Sequence, residues 1–335
     1  SFAKQQIAIS SGLINRDIKI SDSTILNHYK NRGVLPLDIA EDLLPREINA
    51  LQRAMPPNQI LRQAYVRFYP NGPLAGHIIG YTGIQAPLSL RPIENNDLIF
   101  PESEGREGIE QIFDRELRGQ PGLLQITFGV DGKKTSERVA RQPVPGNNII
   151  TTLDLDLQQT CEDVLSKNTK RGAITVIDPN NGEILALASW PTFNPNDFVP
   201  SVKPSIYNAL SKDPSNPLLP RAFRSAYPPG STFKTFVGFA GLETGRINAK
   251  ETFTCPTSFS VGDHVFRNWK KEDAGRLNFR QALTQSCNTW FYQAGLKIGA
   301  EPIIDYAKRL GLGRRTGIPL RSEAGGNIPD DDYML

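Results

Sequence analysis

The first third of the chain combines polar stretches with short apolar repeats of helical spacing. Residues 1–60 are polar and favour helix, and Ile39–Arg53 has apolar positions at helical intervals. Pro45 lies inside that segment, so we expect it to end or kink a helix there, because proline lacks the backbone donor. Residues 62–83 predict a short strand, a Pro-Asn-Gly turn and a short helix that ends at Gly80.

The next stretch predicts one helix followed by a β-hairpin. Residues 105–122 predict a helix framed by glycines, because its apolar residues fall roughly on one face. Residues 123–142 alternate between apolar and polar positions, which is typical of two strands. Val130-Asp131-Gly132 supplies the turn between them.

A proline-containing linker suggests where the chain divides. The prolines of Arg141–Gly146 favour an extended connection between two cores. A length of 335 residues also suggests two domains, since one domain usually takes roughly 100–200 residues. We therefore predict one domain over residues 1–145 and another over residues 146–335.

The second half of the chain begins with a predicted β-hairpin. Ala173–Ile177 is apolar and β-branched, Ile184–Ala188 is apolar again, and the turn sequence Asp178–Gly182 separates them. Their continuous apolar character indicates burial on both faces, so helices are expected to cover the sheet. Helical spacing follows in Ser231–Leu242 and Pro302–Leu310. These patterns predict an α+β fold built on an antiparallel sheet.

Composition narrows the functional classes. Apolar residues make up 39% and charged residues 22%, as in ordinary globular proteins, and the net charge of +3 gives no reason to expect nucleic acid. We find no apolar run near the roughly 20 residues of a membrane helix and no signal peptide, and Ser1 suggests an incomplete start. The histidines and cysteines are scattered, so we predict no metal and no cofactor. They are His28, His77, His264, Cys161, Cys255 and Cys287.

The most distinctive local sequence is Tyr-Pro-Pro-Gly-Ser-Thr-Phe-Lys at Tyr227–Lys234. Pro-Pro-Gly cannot be helical, and a helix is predicted directly after it, so Ser231 is expected at the helix N-terminus with Lys234 about one turn on. A serine needs a neighbouring base to become a nucleophile, and a buried lysine of lowered pKa can serve. The helix N-terminus favours a neutral amine and a developing oxyanion. The alternative is a serine that only caps the helix.

A second polar pair, Ser286-Cys287-Asn288, lies about fifty residues downstream, with helices predicted on either side. In an extended loop, residues two apart point to the same side, so Ser286 and Asn288 could project together. Ser286 could then pass a proton and Asn288 could hold a substrate amide. Alone, the pair more readily indicates a cap of the following helix.

Together, SxxK and SxN in this order are an established signature of serine β-lactamases and penicillin-binding proteins. The chain resembles the class B penicillin-binding proteins of the elongation type over nearly its whole length. The segments that carry the resemblance are Arg67–Pro70, Gly105–Glu110, Leu117–Gly119, Gly172–Phe198, Asn216–Lys234, Phe266–Lys270, Gln285–Tyr292, Gly311–Gly313 and Thr316–Ile318. Pro220 is a small departure, since the family often has asparagine there.

The resemblance implies a role for each motif residue. Ser231 would be the acylated nucleophile, and its backbone N–H would form half of the oxyanion hole. Lys234 would be the general base, Ser286 would shuttle a proton, and Asn288 would contact the peptide. The implied fold is an elongated, non-catalytic pedestal of dimerisation type, followed by part of a β-lactamase-like transpeptidase domain.

The resemblance also implies the activity and its surroundings. The enzyme would be a D,D-transpeptidase that cross-links peptidoglycan stem peptides during cell-wall elongation and is inhibited by β-lactams. It would act on the extracytoplasmic side of the inner membrane, held there by an N-terminal anchor. A membrane glycosyltransferase and elongation-complex proteins would be its partners.

One part of the family pattern is absent from these residues. The third motif, Lys-Ser/Thr-Gly, does not occur before the sequence stops at Leu335, so we expect a truncated chain that is inactive by itself.

A carboxypeptidase or β-lactamase would use the same motifs, but neither needs the pedestal. A penicillin-recognising sensor or cell-wall scaffold that turns nothing over remains the alternative from another class.

Two further expectations concern single contacts. Relatives can pair a cysteine at position 255 with a downstream one, but Asn268 occupies the expected partner position, so Cys255 is expected to be a free buried thiol. Cys287 is expected to serve packing. Arg67 and Glu110 could brace the pedestal as an ion pair or remain solvated surface charges.

Overall fold

The computed structural model describes residues 2–32, 36–41, 43–56, 59–61, 67–84, 103–120, 122–129 and 134–329. They form two compact units, each made of two chain segments. The first contains Ser1–Gln159 and Thr192–Leu218, and the second contains Thr160–Pro191 and Leu219–Leu335. No helix within the described ranges is both long and apolar enough to cross a membrane.

Helices and antiparallel strand pairs make up both units, which confirms the α+β class. The helices are α1 (Phe2–Ile14), α2 (Asp22–Arg32), α3 (Pro45–Arg53), α4 (Gly76–Ile79), α5 (Gly108–Ile112), α6 (Asp114–Arg118), α7 (Leu155–Asn168), α8 (Pro204–Lys212), α9 (Arg221–Arg224), α10 (Phe233–Glu243), α11 (Phe279–Thr284), α12 (Asn288–Ile298) and α13 (Ala300–Arg309). The strands are β1 (Thr82–Ile84), β2 (Ser103–Gly105), β3 (Leu123–Phe128), β4 (Lys134–Arg141), β5 (Gly172–Ile177), β6 (Ile184–Trp190), β7 (Thr252–Thr254), β8 (Ser258–Val261), β9 (His264–Arg267) and β10 (Arg276–Asn278).

The N-terminal helices of the first unit enclose a small core of their own, in which Ala3, Ile7 and Ile25 are buried. The prediction for Pro45 was wrong, because this residue begins helix α3 instead of ending or kinking one. Proline suits the first helical position, where its missing N–H would have no partner anyway. Glu47 in the same turn is buried and forms an ion pair with Arg16.

The middle of the first unit corrects a second prediction. Where one helix was predicted over residues 105–122, the structure has two short helices, α5 and α6, with Phe113 between them. Gly80 ends α4 as predicted, with φ of +73°, and a Cβ there would lie 1.8 Å from the carbonyl oxygen of Glu107. Strands β3 and β4 confirm the predicted hairpin, whereas its turn, Val130-Asp131-Gly132, lies outside the described residues, as do residues 62–66.

The segment Thr192–Leu218 belongs to the first unit through specific contacts. The side chain of Asn196 accepts from the N–H of Tyr69 at 3.0 Å and donates to its carbonyl at 2.8 Å. Phe198 is 2% exposed and stacks on Tyr81 with ring centroids 4.1 Å apart. These contacts fill the interior of the unit with residues that come late in the sequence.

An ion pair braces the same unit. Glu110 is buried, and its carboxylate accepts from Arg67 at 2.5 and 3.1 Å. The hydrogen bond to this carboxylate raises the pKa of Arg67, and burial raises the pKa of the neighbouring Tyr69 to about 12. Of the two interpretations, the ion pair is therefore confirmed, and the solvated surface charges are not.

The second unit contains the predicted hairpin of β5 and β6, paired antiparallel. Strand β6 is buried at Ala186–Ser189, but every second residue of β5 is exposed. Burial on both faces was therefore predicted correctly for β6 and wrongly for β5. A separate core surrounds the fully buried Trp290 and packs α10, α11 and α12 together with β7 and β10.

Candidate active site

Ser231 lies in a short 3₁₀ turn, Gly230–Thr232, that leads directly into α10. The sequence explains the turn, because Gly230 has φ of +57° and the prolines before it prevent a longer helix. Ser231 is an exposed residue. The structure thus places Ser231 two residues before the regular helix that was predicted to begin with it, in a position that a substrate can approach.

Lys234 is in the first turn of α10 and is only 9% exposed. Its amine donates to three oxygens: the carbonyl of Ser286 at 2.8 Å, the hydroxyl of Ser286 at 2.9 Å and Oδ1 of Asn288 at 2.6 Å. The amine also lies 5.6 Å from the ring centroid of Phe291. Burial lowers the pKa of Lys234 below its ordinary value, since the charged form loses water.

Ser286 occupies the end of α11 in an unusual conformation. Its φ is +51°, in the left-handed region that favours glycine. Its N–H donates to the carbonyl of Leu283 at 3.0 Å, and the N–H of Cys287 donates to the carbonyl of Ala282 at 2.9 Å. These two bonds define a Schellman cap, in which the left-handed position usually holds glycine. The prediction of an extended loop was wrong here.

Asn288 is the first residue of α12, and Cys287 is the N-cap, whose sulfur accepts from the N–H of Trp290. The N–H of Asn288 donates to Oδ1 of Asn268 at 3.1 Å. Its amide group donates to the carbonyl of Arg267 at 3.4 Å. The side chains of Ser286 and Asn288 therefore meet at Lys234 because a left-handed turn connects two helices.

The prediction for Cys255 was also wrong, because it forms a disulfide with Cys287. Both cysteines are 1% exposed, and Cys161 is a buried free thiol. The expected partner position, Asn268, instead lies beside the bond, with its amide nitrogen 3.4 Å from the sulfur of Cys255. Cys287 is a packing residue as expected, but it is also a covalent link.

A continuous hydrogen-bonded path connects the predicted site residues. Ser286 Oγ lies 3.0 Å from Ser231 Oγ and 2.9 Å from the amine of Lys234. Among the hydrogen bonds of the described residues, the path from Lys234 to Ser231 runs through Ser286, with no direct bond between the two. The arrangement can move a proton between the hydroxyl of an exposed serine and a buried amine.

Sequence reasoning missed two contributors to this site. The side chain of Asn268 accepts a hydrogen bond from the N–H of Asn288. The disulfide with Cys255 holds Cys287, which lies between Ser286 and Asn288 in the motif. No local spacing signals either contact, because the partners come from different elements that only the fold brings together.

Two family matches follow one another along the chain. Residues 9–151 match the Penicillin-binding Protein dimerisation domain, and residues 172–334 match the Penicillin binding protein transpeptidase domain. This order, with the hydroxyl–hydroxyl–amine path in the second match, defines the class of protein: the chain belongs to the class B penicillin-binding proteins.

Several proteins that it resembles are of the penicillin-binding protein 2 type. The peptidoglycan D,D-transpeptidase MrdA of Acinetobacter baumannii is 33% identical over 281 residues, which cover 83% of this chain and 42% of the relative. The complex of penicillin-binding protein 2 with MreC from Helicobacter pylori matches at 30% identity and a TM-score of 0.81, covering 99% of this chain and 62% of that one. A structure of a peptidoglycan synthase complex that coordinates polymerization and crosslinking matches at 29% identity and a TM-score of 0.69, covering 94% and 59%. The chain thus spans about half the length of its curated relatives.

Proposed function

We propose that this chain is part of a peptidoglycan D,D-transpeptidase that cross-links stem peptides through an acyl-enzyme on Ser231. The observation that carries the proposal is the path from Ser231 Oγ through Ser286 Oγ to the amine of Lys234. The donor would be a peptide ending in D-Ala-D-Ala, and β-lactams would acylate the same serine.

Acylation begins with the neutral amine of Lys234. Its two N–H groups donate to the carbonyl of Ser286 and to Oδ1 of Asn288, and its lone pair accepts from the Ser286 hydroxyl. Ser286 in turn accepts the proton of Ser231 while Ser231 Oγ bonds to the carbonyl carbon of the penultimate D-Ala. The backbone N–H of Ser231 stabilises the resulting oxyanion.

The same path completes the cycle in reverse. The proton held on Lys234 returns through Ser286 to the amine of the departing D-Ala as the C–N bond breaks. An amine of a neighbouring strand then attacks the ester and loses its proton along the path, and Ser231 regains its hydroxyl. Among the described residues, the side-chain amide of Asn288 donates to the carbonyl of Arg267 at 3.4 Å. This long bond supports a role for the amide as a donor to a carbonyl of the peptide.

The test is covalent labelling of the whole protein with a fluorescent penicillin, followed by mass spectrometry of the labelled peptide. Wild type should carry one acyl group on Ser231, and Ser231→Ala should carry none while keeping its circular dichroism spectrum. Ser211→Ala, in the exposed part of α8, is the matched control and should label normally. Labelling that survives Ser231→Ala contradicts the assignment.

Turnover separates the enzyme from a sensor or scaffold. A transpeptidase releases D-Ala from a pentapeptide donor when an acceptor amine is present. A penicillin-recognising sensor would be labelled by the antibiotic yet release no D-Ala, and that result would favour the alternative.

We further propose that residues 1–145 form a non-catalytic pedestal of dimerisation type and residues 146–335 the transpeptidase part. Similarity to a relative solved with MreC and to a peptidoglycan synthase complex supports elongation-complex partners, among them a membrane glycosyltransferase. The protein would then act extracytoplasmically, next to the inner membrane. Co-purification of the whole protein with MreC tests this, and its absence under conditions where a relative binds would argue against these partners.

A further inference from the structure

We propose that the Cys255–Cys287 disulfide, assisted by Asn268, is a positioning device for Ser286 and Asn288, an inference that rests on the proposed acylation of Ser231. Cys287 is the middle residue of the SxN motif. Within the part of the chain that the structure describes, its two neighbours supply all three oxygens that accept from the amine of Lys234. A covalent bond at this residue therefore acts directly on the geometry of the proton path.

The far end of the bond is firmly held. The N–H of Cys255 donates to the carbonyl of Gly275 at 2.8 Å, and its carbonyl accepts from the N–H of Ala274 at 3.0 Å. Both cysteines lie in the buried core around Trp290. Cys255 is thus fixed by backbone pairing and packing, so the disulfide transmits that rigidity to Cys287.

The near end needs such support. Ser286 has φ of +51°, which a residue with a Cβ seldom adopts, so the turn is not held by its own backbone preference. Asn268 adds a second anchor, since it accepts from the N–H of Asn288 at 3.1 Å while its amide nitrogen lies 3.4 Å from the sulfur of Cys255. One side chain thus contacts both the disulfide and the first residue of α12.

Loss of the bond should act on the chemical step more than on binding. A displacement near 1 Å in a catalytic group can cost on the order of 100-fold in rate. The buried sulfurs are not part of the substrate surface, so binding should change only through Asn288, whereas the proton path should change through both Ser286 and Asn288, which contact Lys234. We therefore expect Cys255→Ala to lower the first-order acylation constant at least about 10-fold, with the dissociation constant for penicillin changed less than about threefold.

The experiment compares Cys255→Ala with wild type in the whole protein, using stopped-flow acylation by a fluorescent penicillin. Cys161→Ala is the matched control, because it removes a buried cysteine that forms no disulfide. A fall of the first-order constant only in Cys255→Ala supports positioning. An unchanged constant in a folded Cys255→Ala protein overturns it, and so does an equal loss in Cys161→Ala.

A second measurement tests the proposal without a variant, in case Cys255→Ala does not fold. Wild-type protein is reduced under nitrogen with dithiothreitol, which closes to its own cyclic disulfide as two new protein thiols form, and the thiols are counted. A slower first-order constant in the reduced protein supports positioning, and an equal constant overturns it. If oxidised wild type is not acylated at all, the proposed function itself fails, which is a different outcome from equal rates in the two forms.

Discussion

Ser286 offers two acceptors to Lys234, its carbonyl at 2.8 Å and its hydroxyl at 2.9 Å. Together with Oδ1 of Asn288, these two acceptors match the three N–H groups of the ammonium form of Lys234. When the amine is neutral, its lone pair can accept from the same hydroxyl without any change of position. One contact therefore fits both protonation states, as a relay requires.

The rate of Ser231 acylation should depend on pH through Lys234. Only the neutral amine can take the proton, so the rate should be low in acid and rise along a limb whose midpoint lies below the ordinary pKa of 10.5, because burial lowers the pKa of this lysine. First-order acylation constants measured from pH 5 to 10 test this. A flat profile would show that Lys234 is not the base.

Replacing Ser286 with glycine should stabilise the protein and inactivate it at once. Glycine removes the penalty of the left-handed conformation, roughly 1 kcal/mol, so the free energy of unfolding should rise. Loss of the relay hydroxyl should slow acylation about 10²–10⁴-fold. Urea denaturation and penicillin labelling measure the two effects.

Ser322→Gly is the matched control for that substitution. Ser322 has φ of +63°, also in the left-handed region, and makes none of the hydrogen bonds of the relay. The control should gain similar stability and keep wild-type acylation. Equal loss of acylation in both variants would assign the effect to backbone freedom instead of the hydroxyl.

Removing Arg67 should destabilise the first unit. Arg67→Met leaves the buried carboxylate of Glu110 without its cation and should cost roughly 2–4 kcal/mol, less than for a fully buried pair because the Arg67 side chain is 39% exposed. The double variant with Glu110→Leu should recover much of that loss. Chemical denaturation of the single and double variants measures both.

The exposed pair Asp305–Arg309 provides the comparison. These side chains are 59% and 63% exposed and lie 3.7 Å apart on α13. Removing Asp305 should cost less than about 0.5 kcal/mol. A loss comparable to that of Arg67→Met would show that burial is not the reason for the difference.

Opening the disulfide should also lower stability. The bond closes a loop of 32 residues, for which the chain-entropy estimate is about 4 kcal/mol at 25 °C. Cys255→Ala should therefore unfold at a lower denaturant concentration than Cys161→Ala. Similar midpoints for the two variants would mean that the cross-link adds little to the fold.

The sequence was sufficient to select candidate site residues that the fold brings together, but not to predict their local geometry. Spacing alone brought Ser231 and Lys234 to one helix end, because the helical repeat fixes neighbours three residues apart. The conformation of Ser286 could not be predicted, since serine rarely adopts a positive φ and the Schellman cap depends on how α11 and α12 pack.

Contacts between segments that are distant in sequence were the second feature that the sequence did not predict. The pairing of Cys255 with Cys287 depends on the core that brings them together, and a single sequence does not specify connectivity. For Arg67 and Glu110 the sequence left two interpretations open, an ion pair or solvated surface charges, and only the fold shows that they pair. Pro45 shows the converse, because the same residue can end one helix or begin another and local sequence alone did not decide.

The segment Thr192–Leu218 has a practical consequence for anyone who wishes to study the two units apart. The chain crosses between them after Gln159, after Pro191 and after Leu218. If the gene were cut only once, after residue 159, Phe198 would be expressed with the second unit although it packs in the first. Tyr81 would then lack its stacking partner. Separate units would require splicing residues 192–218 behind the first segment and closing the gap in the second unit with a short linker. The first cut would have to avoid residue 159 itself, because a cut there divides helix α7.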